Sequence, residues 1–173
     1  MKTHEPELPL TAPEGIQLSE RLNDALARVK KEHAGLQEGL KKLYRDACAV
    51  RGENDPRLIA DKLDVLIGTA KAYKTSLAEH SEWEENELFP LAVWYFGNDM
   101  DVFTLMEQEH EMAEHYIDAF LVQVEQTPQP LDHEGAVRLA SYLLQAYALL
   151  RNHFKEEEEI LDAFADQSNG YGF

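Results

Sequence analysis

The chain has one cysteine in 173 residues, Cys48, so it cannot close an internal disulfide and nothing points to an oxidising compartment. Glycine and proline are sparse, at 9 and 7, and fall mostly near the ends and between long periodic runs, which favours an all-helical chain. Positive charge is scarce too. Sixteen Lys and Arg against 33 Asp and Glu give a formal net charge of -17. Such a surface repels phosphate backbones and anionic lipid, which argues against nucleic acid and membrane as partners, and it attracts cations. No apolar run approaches the ~18 residues that a membrane helix needs. The segment Met1-Lys2-Thr3-His4-Glu5-Pro6 has no apolar core of a secretory signal, so cytoplasm is the expected location.

What is present is periodicity. One run reads Leu18, Leu22, Leu26, Val29, His33, Leu36, Leu40, Leu43, Ala47. A second reads Leu63, Leu66, Ala70, Tyr73, Leu77, His80, Glu84, Leu88. A third reads Phe103, Met106, His110, Ala113, Ile117, Phe120, Val124, and a fourth Leu139, Leu143, Ala146, Leu150, His153, Glu157, Ile160, Phe164. Steps of three and four place each run on one helix face. Asp55-Pro56 reads as an N-cap and first helical position, Phe89-Pro90 as an end or kink, and Thr127-Pro128-Gln129-Pro130 as a stop. An aromatic connector is expected at Trp94-Tyr95-Phe96-Gly97-Asn98. Short connections predict an all-α, antiparallel up-down-up-down four-helix bundle over residues 16–166, with an irregular arm at 1–15 and a tail at 167–173. An orthogonal helical array is the competing arrangement.

Each stripe is interrupted by a histidine where a leucine would serve packing. Helices two and four add a glutamate four residues on, giving the pairs His80/Glu84 and His153/Glu157. Four residues turn a helix through about 400° and advance it about 6 Å, so each pair shares a face and can reach one centre. Burying an unpaired carboxylate costs several kcal/mol, which an apolar core would not tolerate without compensation. Two cations would provide it. Imidazole nitrogen with carboxylate oxygen suits iron, manganese or zinc. Histidines hydrogen-bonded within a purely structural bundle are the alternative. A ferritin-like site is disfavoured, because it uses Glu-x-x-His, with glutamate first and a shorter spacing.

The order His, His-x-x-x-Glu, His, His-x-x-x-Glu resembles the hemerythrin-like (HHE cation-binding) domain. His80-Ser81-Glu82-Trp83-Glu84-Glu85-Asn86-Glu87-Leu88-Phe89-Pro90 is similar to that family's second-helix signature. Gln108-Glu109-His110-Glu111 resembles its third, and His153-Phe154-Lys155-Glu156-Glu157-Glu158-Glu159-Ile160-Leu161 its fourth. The resemblance covers about residues 18–165. It implies a non-haem di-iron centre with bridging Glu84 and Glu157 and terminal His33, His80, His110 and His153. It also implies a small diatomic ligand or peroxide as partner. Family members include oxygen carriers, iron or oxygen sensors, and proteins tied to repair of iron–sulfur centres under nitrosative stress. The expected function is binding of, or reaction with, dioxygen, peroxide or nitric oxide, or iron sensing. Metal storage, buffering or sensing through a partner protein is the alternative.

The oxygen-carrier pattern places a second histidine four residues after the third-helix histidine. Here that position is Glu114, and His115 is turned about 140° from His110. Glu114 is either an extra oxygen ligand or a solvent-facing residue, and it speaks against oxygen carriage. The N-terminal cysteine segment of some repair-type members is lacking. Glu158 is a lesser substitute for Glu157, while Glu82, Glu85, Glu156 and Glu159 read as solvated surface. Tyr73 reads as core or as a phenol near the site, Trp83 as a pocket wall, and Cys48 as an inert buried thiol. Gly35 and Gly39 are expected to admit a close neighbour or a ligand path near His33, and His4 and His133 receive no role.

Overall fold

A computed structural model of the chain describes residues 12–97 and 100–170. Helix α1 spans Ala12–Arg51, α2 Pro56–Trp83, α3 Phe89–Phe96, α4 Met100–Gln126 and α5 His133–Gly170. A π-helical segment, Glu84–Leu88, joins α2 to α3. The four long helices pack in the cyclic order α1, α2, α4, α5, each against its two neighbours, as an all-α bundle without strands among the described residues. The expected arm overlaps α1, which is already helical from Ala12, with Pro13 in the first turn where a missing N–H costs nothing. Residues 167–170 of the expected tail continue α5. Residues 1–11, including His4, and 171–173 lie outside the described residues, as does Asn98.

Local chemistry sets the helix ends. The Asp55 carboxylate accepts from the Arg57 N–H at 3.0 Å, with Pro56 entering α2 behind it. Asp132 caps α5 by accepting from the Gly135 N–H at 2.7 Å. Gly97 ends α3 at φ 91°, a left-handed conformation that glycine adopts without penalty. The aromatic connector is therefore helical through Phe96.

The second helix does not break at Phe89-Pro90 either. Pro90 has no N–H, and its ring would collide with the carbonyl four residues back in a regular helix. The π turn widens the ladder just ahead of it, with the Phe89 N–H donating to the Glu84 carbonyl.

The core is in two pieces. One apolar cluster includes Leu40, Leu43, Leu66, Ile117, Phe120 and Leu143. The other gathers Leu22, Val29, Leu88, Phe89, Phe103, Met106 and Leu161 toward the opposite end. Burying each large side chain contributes about 1.5–3 kcal/mol. Between the clusters lies a buried layer of polar side chains.

Candidate metal centre

That layer holds six groups. His33 comes from α1, His80 from α2, Glu84 from the π segment, His110 from α4, and His153 and Glu157 from α5. All are at most 2% exposed. They form two trios, His33/His80/Glu84 and His110/His153/Glu157, in each of which one donor atom per residue lies within 4.8 Å of the others. The Nε2 atoms of His33 and His80 are 3.1 Å apart, and those of His110 and His153 are 3.0 Å apart. Glu84 Oε1 touches His80 Nε2, and Glu157 Oε2 is 2.9 Å from His153 Nε2. Each carboxylate also faces the other trio, with Glu84 Oε1 3.9 Å from His110 Nε2 and Glu157 Oε2 3.7 Å from His33 Nε2.

The outer ring nitrogens meet a second set of carboxylates. His153 Nδ1 is 2.6 Å from Glu109 Oε2, His110 Nδ1 3.0 Å from Glu85 Oε1, and His80 Nδ1 3.4 Å from Glu32 Oε1. His33 Nδ1 is 3.4 Å from Glu158 Oε1, an ion-pair distance without hydrogen-bond geometry. None of these four residues was expected in this role. The readable signal was adjacency: each stands next to an inward-facing group, as Glu32 does to His33 and Glu109 to His110. One residue of helix turns a side chain by about 100°, from the bundle axis into the groove against the next helix.

This arrangement decides the tautomers. An ionised carboxylate only accepts, so Nδ1 of a neutral His80, His110 or His153 carries the proton and its Nε2 keeps the lone pair. Lone pairs then face each other between His110 and His153, and that of His80 faces His33 Nε2, beside carboxylate oxygens. None of the four oxygens of Glu84 and Glu157 accepts a hydrogen bond. Buried acceptors without donors are costly, and bound cations would satisfy them. The spacing fits too, since donors about 2.1 Å from one ion at a right angle stand about 3 Å apart. Nitrogen and oxygen donors together suit a first-row transition metal.

Electrostatics agrees. Burial lowers the His33 imidazole to about 4 and His110 to about 3, and it depresses His80, leaving neutral donors at pH 7. Burial also disfavours a charged His153, but Glu157 and Glu109 outweigh it and raise that imidazole. Burial, then Glu157, pushes Glu84 well above the carboxylate range. For Glu157 burial acts in the same upward direction, but contacts with Glu84, His153 and His33 overcome it and hold the group below its ordinary value. One protonated and one ionised glutamate is how such a pair sheds charge when only protein groups surround it.

Glu114 belongs to neither trio. It is half-buried in a side cleft with Glu82, Glu85 and His110. His115 and His133 are exposed. Trp83 packs 6.2 Å from His80, capped by the Arg28 guanidinium at 4.1 Å. Phe154 and Phe89 wall His33 and His110 at 4.9 and 6.2 Å. Cys48 is half-buried rather than buried, because it sits at the edge of the packing face. A groove of about 800 Å³ opens between α1 and α2, lined by Gly35, Gly39, Gly68 and Tyr73 and ending at Glu32 and His80. The Tyr73 hydroxyl is buried and unpartnered, and a Cβ on Gly39 would come within 3.0 Å of its ring.

A four-helix bundle whose buried mid-layer offers paired imidazoles and carboxylates defines a class of cation-binding helical domains. The chain belongs to the hemerythrin HHE cation-binding domain family, whose model matches residues 24–165. Comparisons with curated proteins and with solved structures found no match. No helix among the described residues is long and apolar enough to cross a membrane.

Proposed function

We propose that this chain is a non-haem di-iron protein that binds or reacts with dioxygen, peroxide or nitric oxide, or senses iron through the same centre. His33, His80 and Glu84 would hold one ion, and His110, His153 and Glu157 the other, with both carboxylates reaching between them. The observation that supports this is the meeting of paired imidazole nitrogens and carboxylate oxygens without hydrogen-bond partners in one buried layer. Iron there would supply open coordination positions for a small ligand. The protein's part is to orient the imidazoles through Nδ1, to exclude bulk water with Phe89, Trp83 and Phe154, and to leave a path along the α1/α2 groove to His80.

The test is anaerobic loading with ferrous iron, metal quantification, and then exposure to dioxygen, peroxide and nitric oxide followed by absorption. Two irons per chain and ligand-dependent spectra are expected. The double variant Glu84→Ala/Glu157→Ala should lose both. Tight binding surviving in that variant, or no uptake by the parent chain, overturns the reading. Absorption changes without catalytic dioxygen release from peroxide would assign binding or sensing over turnover.

A further inference from the structure

Resting on that metal reading, we propose that Glu32, Glu85, Glu109 and Glu158 form a closed carboxylate ring that holds the paired centre in its trivalent state. The contacts pass around the bundle in one direction. Glu32 of α1 meets His80 of α2, and Glu85, just past α2, meets His110 of α4. Glu109 of α4 meets His153 of α5, and Glu158 of α5 meets His33 of α1. Every long-helix unit thus gives one carboxylate and receives one. The outer nitrogens of His80, His110 and His153 are hydrogen-bonded to their carboxylates, and that of His33 stands at ion-pair distance from Glu158.

The charges explain what such a ring does. Neutral imidazoles contribute nothing, so Glu84 and Glu157 alone supply two negative charges against the four of a divalent pair or the six of a trivalent pair. The four ring carboxylates bring the total to six, which matches two trivalent ions. A carboxylate on Nδ1 also makes the imidazole a stronger donor at Nε2, and this favours the higher charge on the metal. The ring glutamates are between 18% and 37% exposed, so their field on the centre is screened only in part. These are positioning residues, acting on the metals through the imidazoles.

A purely structural ring would tie helices together without moving a redox equilibrium, and the test exploits this. Full-length protein is loaded with iron, and its midpoint potential is measured for the parent chain and for Glu32→Gln, Glu85→Gln and Glu109→Gln. Glutamine keeps an acceptor oxygen and removes the charge. Exposed Glu134, in the first turn of α5 and far along the helix from His153, supplies the control, Glu134→Gln. Each ring variant is expected to raise the ferrous-to-ferric ratio at fixed potential about tenfold, or about 59 mV for one electron, with the control unmoved. The double variant Glu85→Gln/Glu109→Gln should move further than either single. Any variant that loses helical signal is set aside in favour of the other two, which probe different imidazoles. Potentials equal to the parent's, in chains that still bind iron, overturn the ring proposal alone. Failure of the parent chain to take up iron overturns both this and the metal reading.

Discussion

His33 shows how far burial shifts a single side chain. Its imidazole titrates at about 4 in the folded chain, against 6.5 when exposed, with burial as the leading cause. Between those values the unfolded chain binds the extra proton, so stability falls as pH drops from 6.5 to 4. The loss attributable to this group is about 3 kcal/mol. In chelator-treated protein, urea melts at pH 7 and pH 4 should therefore differ by about that much less in His33→Leu than in the parent. An unchanged pH dependence would show that His33 is not held neutral by burial. The six inward groups were legible in the sequence because a four-residue step leaves a side chain on the same helix face. The outer carboxylates were not. Glu85 looks like any acidic surface residue until α4 brings His110 Nδ1 within 3.0 Å of it.

At the scale of the element, the bundle's four runs were readable from three- and four-residue steps, while the behaviour around Pro90 was not. A proline predicts an end or a kink, and whether a helix widens into a π turn there depends on what the flanking residues gain by packing. Leu88 and Phe89 are at most 2% exposed, so continuing the helix keeps both in the core. The glycines of the α1/α2 groove behave as two kinds. A Cβ on Gly35 or Gly68 meets nothing within 4 Å, whereas on Gly39 it meets the Tyr73 ring. Gly35→Ala and Gly68→Ala should each stabilise by about 0.5–1 kcal/mol through helix propensity alone. Gly39→Ala should lose that gain to the displacement of Tyr73. Thermal melts of the three variants check the order, and equal gains at all three positions would show that Gly39 is not a packing requirement.

At the scale of the molecule, a layer built for cations costs stability whenever cations are withheld. Replacing a buried charged set by apolar residues of similar size is often neutral or stabilising by about 1–4 kcal/mol. Chelator-treated Glu84→Leu/Glu157→Leu is therefore expected to melt above the chelator-treated parent. Adding ferrous iron should reverse the order, because a ligand bound only by the folded state stabilises it by about 2.7 kcal/mol at a hundredfold excess over Kd. Differential scanning calorimetry with and without iron measures both. A parent chain that melts higher without metal than the double variant would mean that the layer is satisfied by protein groups alone.

The division of the apolar core by this layer has a consequence for cooperativity. The Leu43–Phe120 cluster and the Leu22–Phe103 cluster are separate hydrophobic units threaded on the same four helices. Such units can open sub-globally and with different free energies. Two ions held at the boundary, one by α1 and α2 with the segment that follows and one by α4 and α5, would fasten the two units together, so that neither could fray without releasing them. The centre would then be the clasp that turns two partly independent folding units into one all-or-none transition, and iron supply would govern how the chain unfolds as well as what it binds.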